Sequence, residues 1–298
     1  MDATRRGFLA GAALLVGPRS LKAAPGEMPK RKLGKTGLEP TLLGFGCMTT
    51  TDASVIEQAA DAGINWFDTA RGYQNGNNER MVGAALKSRR QKLHITTKTP
   101  ARNKADALAH LDTSLRELQT DHVDVLQYHG GYYTDADVER FLRPGGVIDG
   151  LKALKRDGLT RFIGFTSEGA NGATSRFIAT GEFDVMQICY NLIFQHPYDP
   201  SRKAGAIYEA EAQRMGIVTM RPLTSGIFQH WIRLLDPTLE QRVDLPRALL
   251  GFVLSNPLVD VAIVGMRSPS RVEANVAIAD DPAARIDLEA MHERYVRD

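Results

Sequence analysis

Four side chains of complementary acid–base type stand at or just past short apolar runs. Asp68 closes a run in Phe67-Asp68-Thr69-Ala70, and Tyr73 follows five residues later. Lys98 stands before Thr99-Pro100, and His129 closes Leu126-Gln127-Tyr128-His129. A carboxylate, a phenol, an ammonium and an imidazole can together hold and move a proton, and can neutralise charge developing on a substrate oxygen. Singly, three of them have plain structural explanations. Asp68 suits a turn or cap, Tyr73 a surface position in a Gly/Asn-rich loop, and His129 a satisfied core site. Lys98 does not, because an ammonium closing an apolar strand requires a partner or a ligand. Asp68, on the neighbouring run, is the partner expected.

The elements that must position these groups follow one repeating order. From Lys32 onward, short apolar runs alternate with helical patterns. Strands are expected at 42–47, 65–69, 93–97, 123–128, 161–165, 184–190, 217–221 and 259–265. Helices are expected at 53–62, 78–88, 104–119, 147–156, 173–179, 206–215, 246–255 and 269–279. Runs such as Val123-Asp124-Val125-Leu126-Gln127 and Val261-Ala262-Ile263-Val264-Gly265 are apolar on both faces, as parallel strands covered by helices must be. No Gly-x-Gly-x-x-Gly follows a strand, which argues against a doubly wound dinucleotide fold. The expected fold is α/β: a (β/α)8 TIM barrel forming a single domain over 32–298, with residues 25–31 as linker. Lys32 to Pro40 is expected to form a short β-hairpin capping the barrel bottom. Reactive groups in such barrels sit at the carboxyl ends of the strands, so the four residues above would share one mouth.

Phe67-Asp68-Thr69-Ala70-x-x-Tyr73, then a strand-end lysine, then a strand-end histidine resemble the aldo-keto reductase tetrad in order and spacing. The resemblance runs from Lys32 to the last helix. It implies hydride transfer between a nicotinamide cofactor and an aldehyde or ketone, in either direction. It also implies Tyr73 as proton donor, Lys98 and Asp68 as the pair that tunes it, and His129 as orienter of the carbonyl. A tyrosine with a pKa of about 10 is a weak acid near neutrality, and a nearby ammonium would favour its phenolate.

Further matches concern the cofactor. Gly164 to Glu168 resembles the segment that contacts the carboxamide, implying Ser167. Met186 to Asn191 implies Gln187 for the same amide and Tyr190 stacked on the nicotinamide ring. Arg221 to Gly226 resembles the loop under the pyrophosphate, implying Leu223, Ser225 and Gly226. Gly265 to Asn275 resembles the final phosphate-binding turn, with Ser268 and Arg271 near the 2′-phosphate and Asn275 near the adenine. A guanidinium fork and a helix N-terminus both suit a phosphate, so NADPH is expected ahead of NADH. The chain departs from many relatives at Gly130-Gly131-Tyr132, where they carry Trp-Pro. That implies a wider pocket, or one lined by Tyr132 and Tyr133. Val264 replaces a frequent proline, and Trp231 is a candidate lid over the substrate.

Residues 1–24 are a separate object. Thr4-Arg5-Arg6-Gly7-Phe8-Leu9, followed by a weakly apolar Gly/Ala-rich run, resembles a twin-arginine export signal. The run is shorter than the roughly 20 apolar residues that span a bilayer. Export by the twin-arginine machinery to the periplasm is expected. Leu21 and Lys22 break the small-residue pattern before Ala23 and Ala24, so cleavage and an uncleaved anchor both stay open.

Composition narrows the partners. The net charge of +2 lies within these first residues, which carry a net +3, so the body is near neutral. A nucleic-acid partner is therefore not expected. The two cysteines, Cys47 and Cys189, sit within apolar runs with no disulfide or zinc spacing, so buried free thiols and no metal are expected. A barrel hydrolase built on Asp68 would lack a second strand-end carboxylate and leave Lys98 unexplained. A nucleotide-binding sensor or accessory subunit with little turnover is compatible with an intact tetrad.

Overall fold

Every second residue of the apolar runs points inward, and eight such runs close on themselves. The structure, a computed structural model, describes residues 28–297. The twin arginines and the export signal expected at 1–24 lie outside the described residues. The strands are β1 (Leu43–Gly46), β2 (Trp66–Asp68), β3 (His94–Thr99), β4 (Val123–Tyr128), β5 (Thr160–Ser167), β6 (Val185–Cys189), β7 (Gly216–Met220) and β8 (Val261–Val264). Each pairs in parallel with its neighbours in chain order, and β8 returns to β1, forming a closed barrel. The (β/α)8 expectation and the strand count both match.

The bottom of the barrel is plugged by the expected hairpin. Leu33 N–H donates to the Leu38 carbonyl at 2.9 Å, Arg31 N–H to the Pro40 carbonyl at 3.1 Å, and Lys30 bridges Thr41 antiparallel. Leu33 and Leu38 pack into a base layer with Trp66, Val125, Val185, Val218 and Val261. Gly34 makes the turn at φ +46°, and a Cβ there would lie 2.3 Å from the Gly216 nitrogen. Only glycine fits so close to another backbone.

Even-numbered strands share a device at that end. Asn65, Asp124, Asp184 and Asp260, at the starts of β2, β4, β6 and β8, accept the backbone N–H of Thr41, Ile95, Ile163 and Ile217 at 2.6–3.0 Å. Each ties its strand to the one before it and satisfies a buried donor. Three of these residues stand in an apolar–Asp–Val triplet, a repeat visible in the sequence.

The helices are α1 (Ala53–Asp61), α2 (Asn77–Leu86), α3 (Lys104–Leu118), α4 (Asp135–Leu142), α5 (Val147–Arg156), α6 (Gly172–Ala179), α7 (Ala206–Ala212), α8 (Ile227–Leu235), α9 (Leu245–Leu254), α10 (Pro269–Asp280) and α11 (Leu288–Arg297). Eight correspond to the expected ones; α4, α8 and α11 are additional. The first begins with a reciprocal capping box between Thr134 and Asp137, a local signal within the loop after His129. Asn103, Asn171 and Asp244 cap α3, α6 and α9 in the usual side-chain manner.

Candidate active site

Strand parity decides which side chains meet. Two-residue steps along β2, β3, β4 and β6 carry Trp66 to Asp68, Thr96 to Lys98, Val125 to Gln127, and Val185 to Gln187, all within the barrel. Apolar residues fill its base, and polar ones form the layer above. Lys98 is fully buried, and its ammonium donates to Asp68 at 2.5 Å, to the Thr69 carbonyl at 2.7 Å and to the Tyr73 hydroxyl at 3.3 Å. The partner expected for this lysine is thus the one it has.

Gln127 extends the network and was not singled out from the sequence, although it stands on the same face two residues before His129. Its Nε2 donates to the Gln187 Oε1 at 2.9 Å and Thr96 Oγ1 at 3.0 Å, and reaches Asp68 Oδ2 at 3.4 Å. The carboxylate that holds Lys98 is therefore itself oriented from β4.

Tyr73 sits on a turn just past β2. Its N–H donates to the Ala70 carbonyl at 3.0 Å, and Gln74, Asn75 and Gly76 follow at φ 50°, 54° and 87°. Such left-handed non-glycine backbone persists only where surroundings impose it. Gln74 donates to the Thr50 carbonyl at 2.7 Å. Arg71 pairs with buried Glu79 of α2, which also accepts from Thr97 at 2.6 Å. His129, one residue past β4, meets the Tyr73 ring edge-on with centroids 5.7 Å apart. All four expected residues share one constellation.

Burial dominates its electrostatics. The His129 pKa is pulled down to about 4, first by burial and then by the Lys98 charge, so the ring is neutral near pH 7. Burial also pushes the Tyr73 phenol above its ordinary value, an effect that Lys98 only partly offsets. Lys98 favours the phenolate as expected, but burial outweighs it and the net direction is upward. The free site holds Tyr73 as a neutral phenol, because removing the phenolate from water outweighs the attraction of an ammonium already paired with Asp68. Burial works to lower the Lys98 pKa, yet Asp68 and Tyr73 together raise it, and it stays charged.

The residues expected to hold a nucleotide fall into two groups. At the start of α10, Ser268 makes no side-chain cap. Pro269 contributes no N–H and the Arg271 N–H donates to the Ser268 carbonyl at 3.1 Å, so the Ser270 N–H and the helix dipole are what the first turn offers an anion. Arg271 is exposed, with no carboxylate partner among the described residues, and Asn275 is buried one turn later. After β7, Leu223 is partly buried, and Thr224, Ser225 and Gly226 run left-handed at φ 54°, 53° and 81°. An uncapped helix start, an open guanidinium and a constrained loop fit the phosphates of a dinucleotide.

Nearer the barrel axis the fit is partial. Gln187 is buried with its oxygen on Gln127, and its Nε2 meets the Met220 sulfur at 3.6 Å. Ser167 is buried and donates to the Gly169 carbonyl at 2.6 Å. Tyr190 does not join the mouth. Its ring is fully buried against Phe252 of α9 and against Tyr198, with centroids 5.5 and 6.0 Å away. It stands one residue out of phase with Gln187 and Cys189, which directs it to the helix layer.

Tyr133 is likewise turned away. It stacks among Tyr128, Phe165 and Phe177, and its hydroxyl donates to the Thr166 carbonyl at 2.6 Å. Gly130 is what admits it, since a Cβ there would lie 2.1 Å from the Tyr133 hydroxyl. Tyr132 stays on the rim, 71 % exposed. Trp231 is half exposed on α8 beside Ile227, Leu234 and Leu235, which are also exposed. Val264 is buried in β8.

Cys47 and Cys189 are buried free thiols. Among the described residues no cluster of His, Cys, Asp or Glu could hold a metal ion, and no helix is long and apolar enough to cross a membrane.

Comparison with known proteins agrees with this geometry. The model of the aldo/keto reductase family matches residues 43–242. An uncharacterized oxidoreductase, YqkF of Bacillus subtilis, is 33 % identical over 157 residues, covering 47 % of this chain and 49 % of that protein. The L-galactose dehydrogenase of Arabidopsis thaliana is 28 % identical over 298 aligned residues, covering 88 % of this chain and 92 % of that protein. Among solved structures, an aldo-keto reductase from Bacillus halodurans in its holo form superposes with a TM-score of 0.74. It is 25 % identical, with 91 % of this chain and 96 % of that chain covered. Family, fold and relatives support an oxidoreductase that uses a nicotinamide nucleotide and acts on small carbonyl compounds. The chain belongs to the aldo/keto reductase family.

Proposed function

We propose that the protein reduces an aldehyde or ketone to an alcohol, or runs the reverse, with NADPH and with Tyr73 as the proton donor. The observation that carries this is the Tyr73 hydroxyl, held 3.3 Å from a buried ammonium with the neutral His129 ring beside it. The bound nucleotide supplies the hydride. The carbonyl oxygen then carries growing negative charge, and Tyr73, protonated in the free site, gives it a proton. Lys98 stabilises the phenolate left behind, and Asp68 and Gln127 keep that ammonium charged and aimed. Neutral His129 offers a ring N–H to the same oxygen and so fixes the substrate's approach. The preference for NADPH rests on Arg271 at the open start of α10.

The proposal includes twin-arginine export of folded protein, on the strength of Arg5-Arg6 and the run after them. Cell fractionation checks this part, and protein confined to the cytoplasm would remove it.

The decisive experiment follows NADPH oxidation with a panel of aldehydes and ketones in the full chain and in Tyr73→Phe. A fall in kcat/KM of roughly 10²- to 10⁴-fold with nucleotide affinity retained is expected, the usual worth of a positioned general acid. Nucleotide binding without turnover in the parent would instead favour the sensor or accessory role.

A further inference from the structure

Tyr132, Glu168 and Arg221 form a polar and aromatic cluster on the barrel rim, outside the tetrad; Glu168 ends and Arg221 begins the two segments likened above to nucleotide-contacting ones, and neither side chain has a role there. Glu168 follows β5 and Arg221 follows β7, so their contact crosses the end of β6. Arg221 Nη2 lies 2.6 Å from Glu168 Oε1, with the two side chains 45 % and 26 % exposed. Glu168 is tied to the histidine loop, because its N–H donates to the Gly131 carbonyl at 3.0 Å, two residues past His129. Tyr132 leans on Gly169, where a Cβ would lie 2.8 Å from its ring.

Arg221 is held at both ends. Its backbone adopts φ +60°, and the buried Asn191 side chain donates to its carbonyl at 2.9 Å. A non-glycine residue in that region carries a conformational cost. An exposed ion pair contributes little stability to offset it. Contact with Glu168 goes through one N–H group of a five-donor fork. What results is an accessible, pre-oriented guanidinium beside Tyr132, joined through Glu168 to the loop that follows His129.

Resting on the carbonyl-reductase reading above, we propose that Arg221 selects substrates in which an apolar skeleton carries both the reactive carbonyl and a carboxylate. The carboxylate takes the guanidinium fork in place of Glu168, or beside it, and the skeleton lies along Tyr132. Glu168 holds the guanidinium in place when no substrate is bound, and its negative charge disfavours loose anions.

The test uses two aldehydes of matched size, 4-carboxybenzaldehyde and 4-nitrobenzaldehyde, with the full chain, Arg221→Leu, Arg221→Lys and Glu168→Gln. The readout is the ratio of kcat/KM for the carboxylate over the nitro compound, relative to the parent's. That ratio is expected to fall roughly 10- to 100-fold in Arg221→Leu, the range for a charge-assisted hydrogen bond. It should fall less in Arg221→Lys and rise in Glu168→Gln. An unchanged ratio in Arg221→Leu overturns the proposal. So does a loss confined to NADPH affinity, which would place the guanidinium on the nucleotide instead. If neither aldehyde turns over, the carbonyl-reductase reading fails separately. Calorimetric titration of 4-nitrobenzoate into nucleotide-free protein then decides Arg221. Binding weakened by Arg221→Leu supports the carboxylate site, and equal or absent binding in parent and variant overturns it.

Discussion

The Lys98 ammonium lies 4.9 Å from the centre of the Tyr73 ring and 3.3 Å from its hydroxyl. It therefore meets both the face of the aromatic system and the oxygen that would carry charge after proton transfer. Asp68, 2.5 Å away on the other side, balances a charge that burial alone would not tolerate.

Removing one member of that pair should cost more than removing both. Lys98→Met leaves the Asp68 carboxylate buried without its cation, and urea unfolding should show a loss of about 3–5 kcal/mol. Lys98→Met combined with Asp68→Leu should recover much of that stability and still lack turnover. Equal stability in the single and double variants would contradict the ion-pair account.

Stability should fall on mild acidification through His129. Its folded pKa, about 4, lies below the unfolded value of 6.5, so the unfolded chain binds the proton more readily. The penalty is absent above about pH 6.5 and grows as pH falls toward 4. By pH 4.5 it should reach about 2–3 kcal/mol, and His129→Gln should remove that part of the slope. Parallel pH–stability curves for parent and variant would refute this.

Nucleotide discrimination should follow Arg271. Arg271→Leu should weaken NADPH roughly tenfold or more, as loss of a charge-assisted contact does, and leave NADH nearly unaffected. Fluorescence titration with both nucleotides measures this directly. Equal weakening of both would move Arg271 away from the 2′-phosphate.

At the opposite end of the barrel, Asp124 should matter for folding and not for chemistry. It accepts the Ile95 N–H at 2.9 Å and pairs with Arg90 at 3.0 Å and Arg161 at 2.8 Å. Burial pushes its pKa up, but His94, Arg90 and the Ile95 N–H hold it well below the ordinary carboxylate range. It therefore contributes stability that is present above the unfolded carboxylate pKa of about 4 and lost as pH falls below it. Asp124→Ala should cost about 1–3 kcal/mol at pH 7, because the buried Ile95 N–H loses its acceptor while Arg90 keeps its bonds to Thr120, Leu93 and His122. The penalty should shrink in acid, and scanning calorimetry across pH would show whether it does.

Much of the fold was legible because parallel strands buried on both faces read as continuous apolar runs, and all eight were found within a few residues. Lys98 and its partner Asp68 were legible because an ammonium closing such a run demands a counter-charge, and Tyr73 and His129 through the order and spacing that resemble the aldo-keto reductase tetrad. Gln127 escaped notice although parity alone placed it beside Lys98 and His129. Tyr190 was expected in the mouth and stands in the helix layer, and Tyr133, one of two residues offered as a lining if the pocket were not simply wider, fills the aromatic cluster behind it. Both errors concern which side of a wall a side chain faces. A shift of one residue reverses that direction without changing the apolar pattern.

The sequence by itself determined the order of strands and helices, the barrel class and the kinds of group at the strand ends. Those are consequences of local periodicity and of what an apolar run can tolerate. Tertiary structure decided which of those groups meet and how they titrate. Pairing of Arg221 with Glu168 across β6, the retention of the Tyr73 proton and the neutrality of His129 depend on distances between strands far apart in the chain. They depend equally on how much water burial removes, and neither quantity is encoded in any short stretch of residues.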